Sequence, residues 1–295
     1  MTEYILLKES QIPFFKNIAF YYKTKDQEYA LYKKEGDYLD ESRMHTTNHP
    51  DLFILESDKD TAMLELTQGL NKDLEEKVSQ GRLKEVREAM AAIVGEVLAP
   101  GQEKNMNALP DTIEILIGRY SEDQDAMLLL TEIGATSSVL VEHTVNVTAL
   151  MLHFCFFHKM SETDTRQLAM AALLHDVGVA RMDRKLVEST RRLSDIQFEV
   201  YKTHPQIGYD MIKGNTNFDM AIPTVTLEHH ERLDGSGYPN GLNRIASYSQ
   251  LVGLIDCYEQ LTYHSKQFRK KKKPFDTLNL IKEEVKSKKF AKPLF

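Results

Sequence analysis

The chain has 295 residues, 42% of them hydrophobic and 27% charged, a size and balance that suit one large or two ordinary globular domains. Its two cysteines, Cys155 and Cys257, exclude a disulfide framework and favour a reducing cytoplasm. A net charge of −7 argues against DNA or RNA as a partner. The short, interrupted apolar stretches argue against a transmembrane helix, and MTEYILLKES has no secretory core.

The expected fold class is mainly α, with a small α/β N-terminal module (1–58), a helical connector and linker (59–111) and a C-terminal all-α domain (112–295). In the first module, IAFYYKT (18–24) and YALYKK (29–34) are β-prone and separated by polar KDQE. DYLDESRMHTT (37–47) reads as a short helix, DLFILES (51–57) as a third strand, and His45 and His49 as surface residues. Residues 59–98 are rich in Ala, Leu, Glu and Lys, with a break near Gly81. That composition suits a connecting hairpin or a dimerising helix, so a homodimer is an expectation. APGQEKNMNALPD (99–111) carries two prolines and a glycine and is the expected domain boundary.

Beyond it, helices are expected near 112–131, 137–158, 163–175, 194–213, 220–232, 246–264 and 275–289. Ser194 and Gln197 form a capping-box start, and Pro205 is expected to kink its helix just after His204.

Five of the ten histidines keep suspicious company. His143 lies mid-helix in VEHTVNVTAL; His175 and Asp176 end AMAALLHDVG; His204 sits in YKTHPQIG; His229 and His230 stand side by side in EHHERLDGSGYPNGL. Asp256 falls inside the apolar pattern LVGLIDCYEQL. Each alone is more often a core histidine, a helix cap or a solvated acid. Together they are the imidazole and carboxylate set that binds first-row metals, and a helix bundle can aim such ligands at one point. Five histidines and two aspartates exceed what one ion takes, so two ions bridged by a carboxylate are the economical count. Without a CxxC pair, a structural zinc site is not expected. His153, His158 and His264 read as surface or helix-end residues.

HDVG (175–178), THPQIGYDMI (203–212) and HHERLDGSGYPNGL (229–242) closely resemble the HD-GYP family, metal-dependent phosphodiesterases acting on cyclic di-GMP within the HD phosphohydrolases. The resemblance runs from about residue 112 to the end. It implies His143, His175, Asp176, His204, His229, His230 and Asp256 as metal ligands, with Asp176 bridging two ions. It implies iron, with manganese as the competitor. Relatives with a third metal place a glutamate where this chain has Val139, so two ions are expected. Glu231 would orient a ligand or a bound water. The ions would activate a bridging water for in-line attack on phosphorus. In the loop DGSGYP, Gly235 and Gly237 would permit positive φ, Pro239 would stiffen the exit, and Tyr238 would contact the substrate.

The chain departs from the family at Val179, where lysine is usual, and at Leu233 and Glu259, which replace tryptophan and aspartate. The basic motif after Asp256 becomes TYHSKQFRKKKK (262–273), leaving Lys266 and Arg269 as phosphate contacts. These changes spare the metal set and alter the pocket. Two readings follow: hydrolysis of cyclic di-GMP or a related cyclic dinucleotide, or a metal-loaded domain with weak or no turnover that senses a nucleotide or binds a protein partner. Hydrolysis of a different phosphate ester is a third class.

Overall fold

The structure, a computed structural model, describes residues 3–37, 39, 50–99, 103–133, 138–263 and 270–292. Two units are distinguished, Met1–Glu75 and Glu76–Phe295.

In the first unit, strands β1 (Tyr4–Leu6), β2 (Phe20–Lys23), β3 (Tyr29–Lys33) and β4 (Leu52–Leu55) form an antiparallel sheet in the order β1-β4-β2-β3. The three expected strands are present. β1 is additional, and three residues are too few to show an alternating pattern. Phe20, Leu52 and Ile54 are buried on one face, and the Tyr4 and Tyr29 rings stack at 3.8 Å. The short helix expected at 37–47 falls almost wholly outside the described residues, as do His45 and His49. Helix α1 (Lys59–Ser79) buries Ala62, Leu66, Leu70 and Leu74, a stripe at four-residue spacing.

Gly81, at φ +67°, turns the chain into α2 (Leu83–Val97). The boundary expected at 99–111 falls within the second unit, because α2 packs against the central helix α5 (Val139–Phe157). The helix expected at 112–131 is two, α3 (Leu109–Tyr120) and α4 (Gln124–Glu132). The turn between them lets α3 pack on α6 (Glu162–Leu174) while α4 packs on α5. By length and composition α5 passes as a membrane span, with mean hydropathy 1.4, yet 78% of that window is buried inside the protein. It is largely apolar around its circumference because it packs against α2, α4, α6 and α11 (Ser247–Thr262).

After α6 come a 3-10 turn (Val177–Arg181), a short helix α7 (Arg184–Val187) and α8 (Asp195–Tyr201). Both bonds of the Ser194/Gln197 capping box are made. The kink expected after His204 is instead a break before it. Lys202 closes α8, and Pro205 lies in the first turn of α9 (His204–Ile212), where its missing N–H leaves no bond unmade. Helices α10 (Ala221–Glu228) and α12 (Pro274–Lys286) complete the unit. The turn after α6 lies so close to α9 that a Cβ at Gly178 would stand 2.1 Å from the His204 carbonyl oxygen.

Candidate metal centre

Helix ends supply three of the histidines. The last carbonyls of a helix lack intrahelical donors, so a side chain just beyond can use them. His175 follows α6 and sets Nδ1 2.7 Å from the Ala172 oxygen. His229 follows α10, with Nδ1 2.9 Å from the Thr226 oxygen. His204 sits beyond α8, with Nδ1 2.8 Å from the Tyr201 oxygen. A carbonyl only accepts, so each Nδ1 donates its proton and each Nε2 presents a lone pair inward. His143 lies inside α5, where the helix uses its own backbone carbonyls. Its Nδ1 meets Glu259 Oε2 on α11 at 2.6 Å.

The Nε2 atoms converge on Asp176. Its Oδ1 lies 3.1 Å from His204 Nε2 and 3.5 Å from His229 Nε2. Its Oδ2 lies 3.5 Å from His143 Nε2 and 3.6 Å from His175 Nε2. Asp256 Oδ1 stands 3.3 Å from His143 Nε2, and Oδ2 stands 3.9 Å from His230 Nδ1. The ligand atoms fall into two groups, Asp176 with His204, His229 and His230, and His143 with His175 and Asp256, each within 4.8 Å. All seven residues singled out in the sequence are thus brought together, and all but the half-buried His230 are buried.

The group asks for cations. Asp176 Oδ1, Asp256 Oδ1 and His230 Nε2 are buried without a hydrogen-bond partner, a costly state for charged or polar atoms. Burial works against the Asp176 charge, but His175, His204 and His229 hold its carboxyl well below the usual range. Burial pushes His175 down to about 4. For His143, burial is outweighed by Glu259 and Asp256, which raise it well above its ordinary value. Nitrogen and carboxylate donors without thiolate fit iron, manganese or zinc.

Glu231 reaches into the loop that follows. It is buried, and its two oxygens accept from the backbone N–H of Asn240 at 2.6 Å and of Leu242 at 2.9 Å. It therefore clamps the loop, and the carboxylate that orients a histidine is Glu259. Gly235 has the expected positive φ, +76°. Gly237 does not; it is required because a Cβ there would stand 2.4 Å from the Arg232 nitrogen and 2.5 Å from the His230 oxygen. The Tyr238–Pro239 peptide is cis, and the Tyr238 ring lies 4.6 Å from the His230 ring.

A cleft of about 550 Å³ opens over the group, in the range of ligand sites. Val139, Val179 and Tyr238 line it beside His143, Asp176 and Asp256. So do Arg191, Arg192 and Arg232, which sequence reasoning missed, although the RR pair between the HD and HP motifs was a visible signal. Arg232 is held by the carbonyls of His229 at 3.1 Å and Glu231 at 2.8 Å. Lys266, Arg269 and His264 lie outside the described residues. His158 is exposed at the end of α5 and His153 is half-buried, both apart from the group.

The HD-domain family model matches residues 128–292. Cyclic di-GMP phosphodiesterase PA4108 of Pseudomonas aeruginosa is 28% identical over 164 residues, 55% of this chain and 40% of that protein. The 3'3'-cGAMP-specific phosphodiesterase 1 of Vibrio cholerae is 24% identical over 165 residues, 54% of this chain and 37% of that protein. The chain thus spans less than half the length of these relatives. Among solved structures, Bd1817, an HDGYP protein from Bdellovibrio bacteriovorus, superposes with a TM-score of 0.60 over 95% of this chain and 94% of that one; at 18% identity this speaks for the fold alone.

Proposed function

The chain belongs to the HD domain family, in its HD-GYP branch, and from that premise we propose that it is a metal-dependent phosphodiesterase of a cyclic dinucleotide, cyclic di-GMP first. The observation that carries the reading is Asp176, a buried carboxylate whose two oxygens face different histidine pairs beneath an open cleft.

His143, His175 and Asp256 would hold one divalent cation, and His204, His229 and His230 a second, with Asp176 shared; iron is the first candidate and manganese the alternative. Such ions supply neutralisation of the phosphoryl oxygens and acidify the attacking water. The rest is done by the chain. Nδ1 bonds keep the Nε2 lone pairs aimed inward. Glu231 fixes the loop that carries Tyr238. Burial pushes the Tyr238 phenol far up, so it stays a hydrogen-bond donor at neutral pH. Arg191, Arg192 and Arg232 line the cleft and offer the phosphates a positive charge that Val179 does not. Lys266 and Arg269 belong to the same reading as further phosphate contacts, and so do a homodimer and a cytoplasmic location.

The test is incubation of Fe(II)- or Mn(II)-loaded chain with cyclic di-GMP and with 3'3'-cGAMP, resolving the products. A linear dinucleotide or mononucleotide supports the reading, and elemental analysis is expected to give two metals per chain. One observation favours a second reading, a metal-loaded sensor with little turnover. Val179, 3% exposed, puts an aliphatic side chain beside the cleft where the family resemblance calls for lysine. Binding without product identifies that case.

A further inference from the structure

Behind His143 runs a file of buried polar side chains that leads out of the matched domain. Glu259, fully buried, takes the His143 Nδ1 proton on Oε2 at 2.6 Å. Its Oε1 accepts from Asn146 Nδ2 at 2.7 Å. Asn146 Oδ1 accepts from an Arg87 guanidinium nitrogen at 2.9 Å, and the same nitrogen donates to the Leu130 carbonyl at 2.7 Å. The other terminal nitrogen of Arg87 pairs with Glu142. Arg87, Glu142, Asn146 and His143 are all at most 4% exposed.

Arg87 lies on α2, outside the segment 128–292 that matches the family. We propose that Arg87 is a positioning residue for the metal ligand His143, acting through Asn146 and Glu259, so that the connector helix completes the metal centre. The inference rests on the metal reading above.

The direction of each bond supports it. The Asn146 amide can satisfy Arg87 and Glu259 only with its oxygen toward the guanidinium and its nitrogen toward the carboxylate. Arg87 therefore fixes the amide, the amide fixes the carboxylate plane, and the carboxylate fixes the imidazole. A buried ion pair serving stability alone needs only Arg87 and Glu142. The nitrogen on Asn146 and Leu130 extends that pair toward the centre. Partners of this kind behind a ligating histidine set its orientation and basicity, and losing one costs roughly tenfold to a hundredfold in metal affinity.

The test is titration of metal-stripped, full-length chain with Mn(II), reading free Mn(II) by electron paramagnetic resonance. The double variant Arg87→Met/Glu142→Gln removes both charges together, so neither is left buried and unpaired. One Mn(II) equivalent is expected to weaken tenfold to a hundredfold while the other holds. His143→Gln is expected to weaken the same equivalent, and adding it to the double variant is expected to change little more. Arg87→Lys is expected to recover part of the loss. If the double variant does not fold by circular dichroism, Asn146→Ala cuts the file while leaving the ion pair, and the same single-equivalent loss is expected. Two equivalents at wild-type affinity overturn the proposal, as does equal weakening of both, which marks general loosening. A wild-type chain that takes up no Mn(II) overturns the metal reading along with it.

Discussion

The histidines of the cluster are held by two different means. His175, His204 and His229 lean on backbone carbonyls three residues upstream, whereas His143 leans on Glu259, 116 positions away in the chain. A carbonyl at a helix end is in place once the helix forms, whatever its side chain. A carboxylate inside a core depends on its own packing and on partners from other helices. The carbonyl-held histidines are therefore robust to side-chain change near them, and His143 is exposed to changes at a distance.

The largest expected effect abolishes the comparison. Asp176→Ala removes the carboxylate that all four of these histidines face, so metal content is expected to fall toward zero. Turnover is expected to fall on the order of a thousandfold or more, since several kcal/mol of charge stabilisation go with the ions. Gly178→Ala attacks a carbonyl-held histidine. Its methyl group cannot share space with the His204 carbonyl, so α9 has to shift. A displacement of that kind is expected to lower kcat about a hundredfold and stability by about 1–3 kcal/mol, measured by steady-state kinetics and urea unfolding. Glu259→Ala attacks the support of His143, and one Mn(II) equivalent is expected to weaken roughly tenfold to a hundredfold.

The pH dependence of the metal-free chain separates the two kinds of support with opposite signs. His143 binds its proton more tightly when folded, so its contribution is full below the unfolded value near 6.5 and is lost as pH rises through the folded value. His175, pushed to about 4, acts in reverse: stability falls as pH drops from about 6.5 toward about 4, where only the unfolded chain takes up the proton. Denaturation midpoints of His143→Gln and His175→Gln between pH 5 and 8 are expected to diverge from wild type in opposite directions. The smallest effect belongs to Tyr201→Phe. Its carbonyl holds His204, so both metal equivalents are expected to remain.

This asymmetry also explains what the sequence made legible. The seven clustered residues were legible because their residue types, their apolar settings and the HD-GYP resemblance converge on them. Glu259 stood in plain view three residues after Asp256 but read only as a departure from the family, since its partner lies on another helix. Arg87 and Asn146 carried no signal, because nothing local ties a connector arginine to a mid-helix amide 59 positions on. The loop contacts of Glu231 were not legible for a related reason: its partners, Asn240 and Leu242, are backbone groups without residue-type signatures. Gly237 was correctly singled out for the loop, but crowding against Arg232 explains it where positive φ does not. The helix order survived reading, while the break at 121–123 depended on which neighbours α3 and α4 pack against.

A carboxylate that turns one oxygen to each side cannot answer to one side alone. On the two-ion reading, an ion at His143 and His175 would draw on the same charge that an ion at His204 and His229 would use, so occupancy of either position would change the affinity of the other by one common factor. Uptake would then not be two independent curves laid end to end. Its steepness would measure the coupling, and competition for the shared charge would favour singly loaded over doubly loaded chains when metal is short.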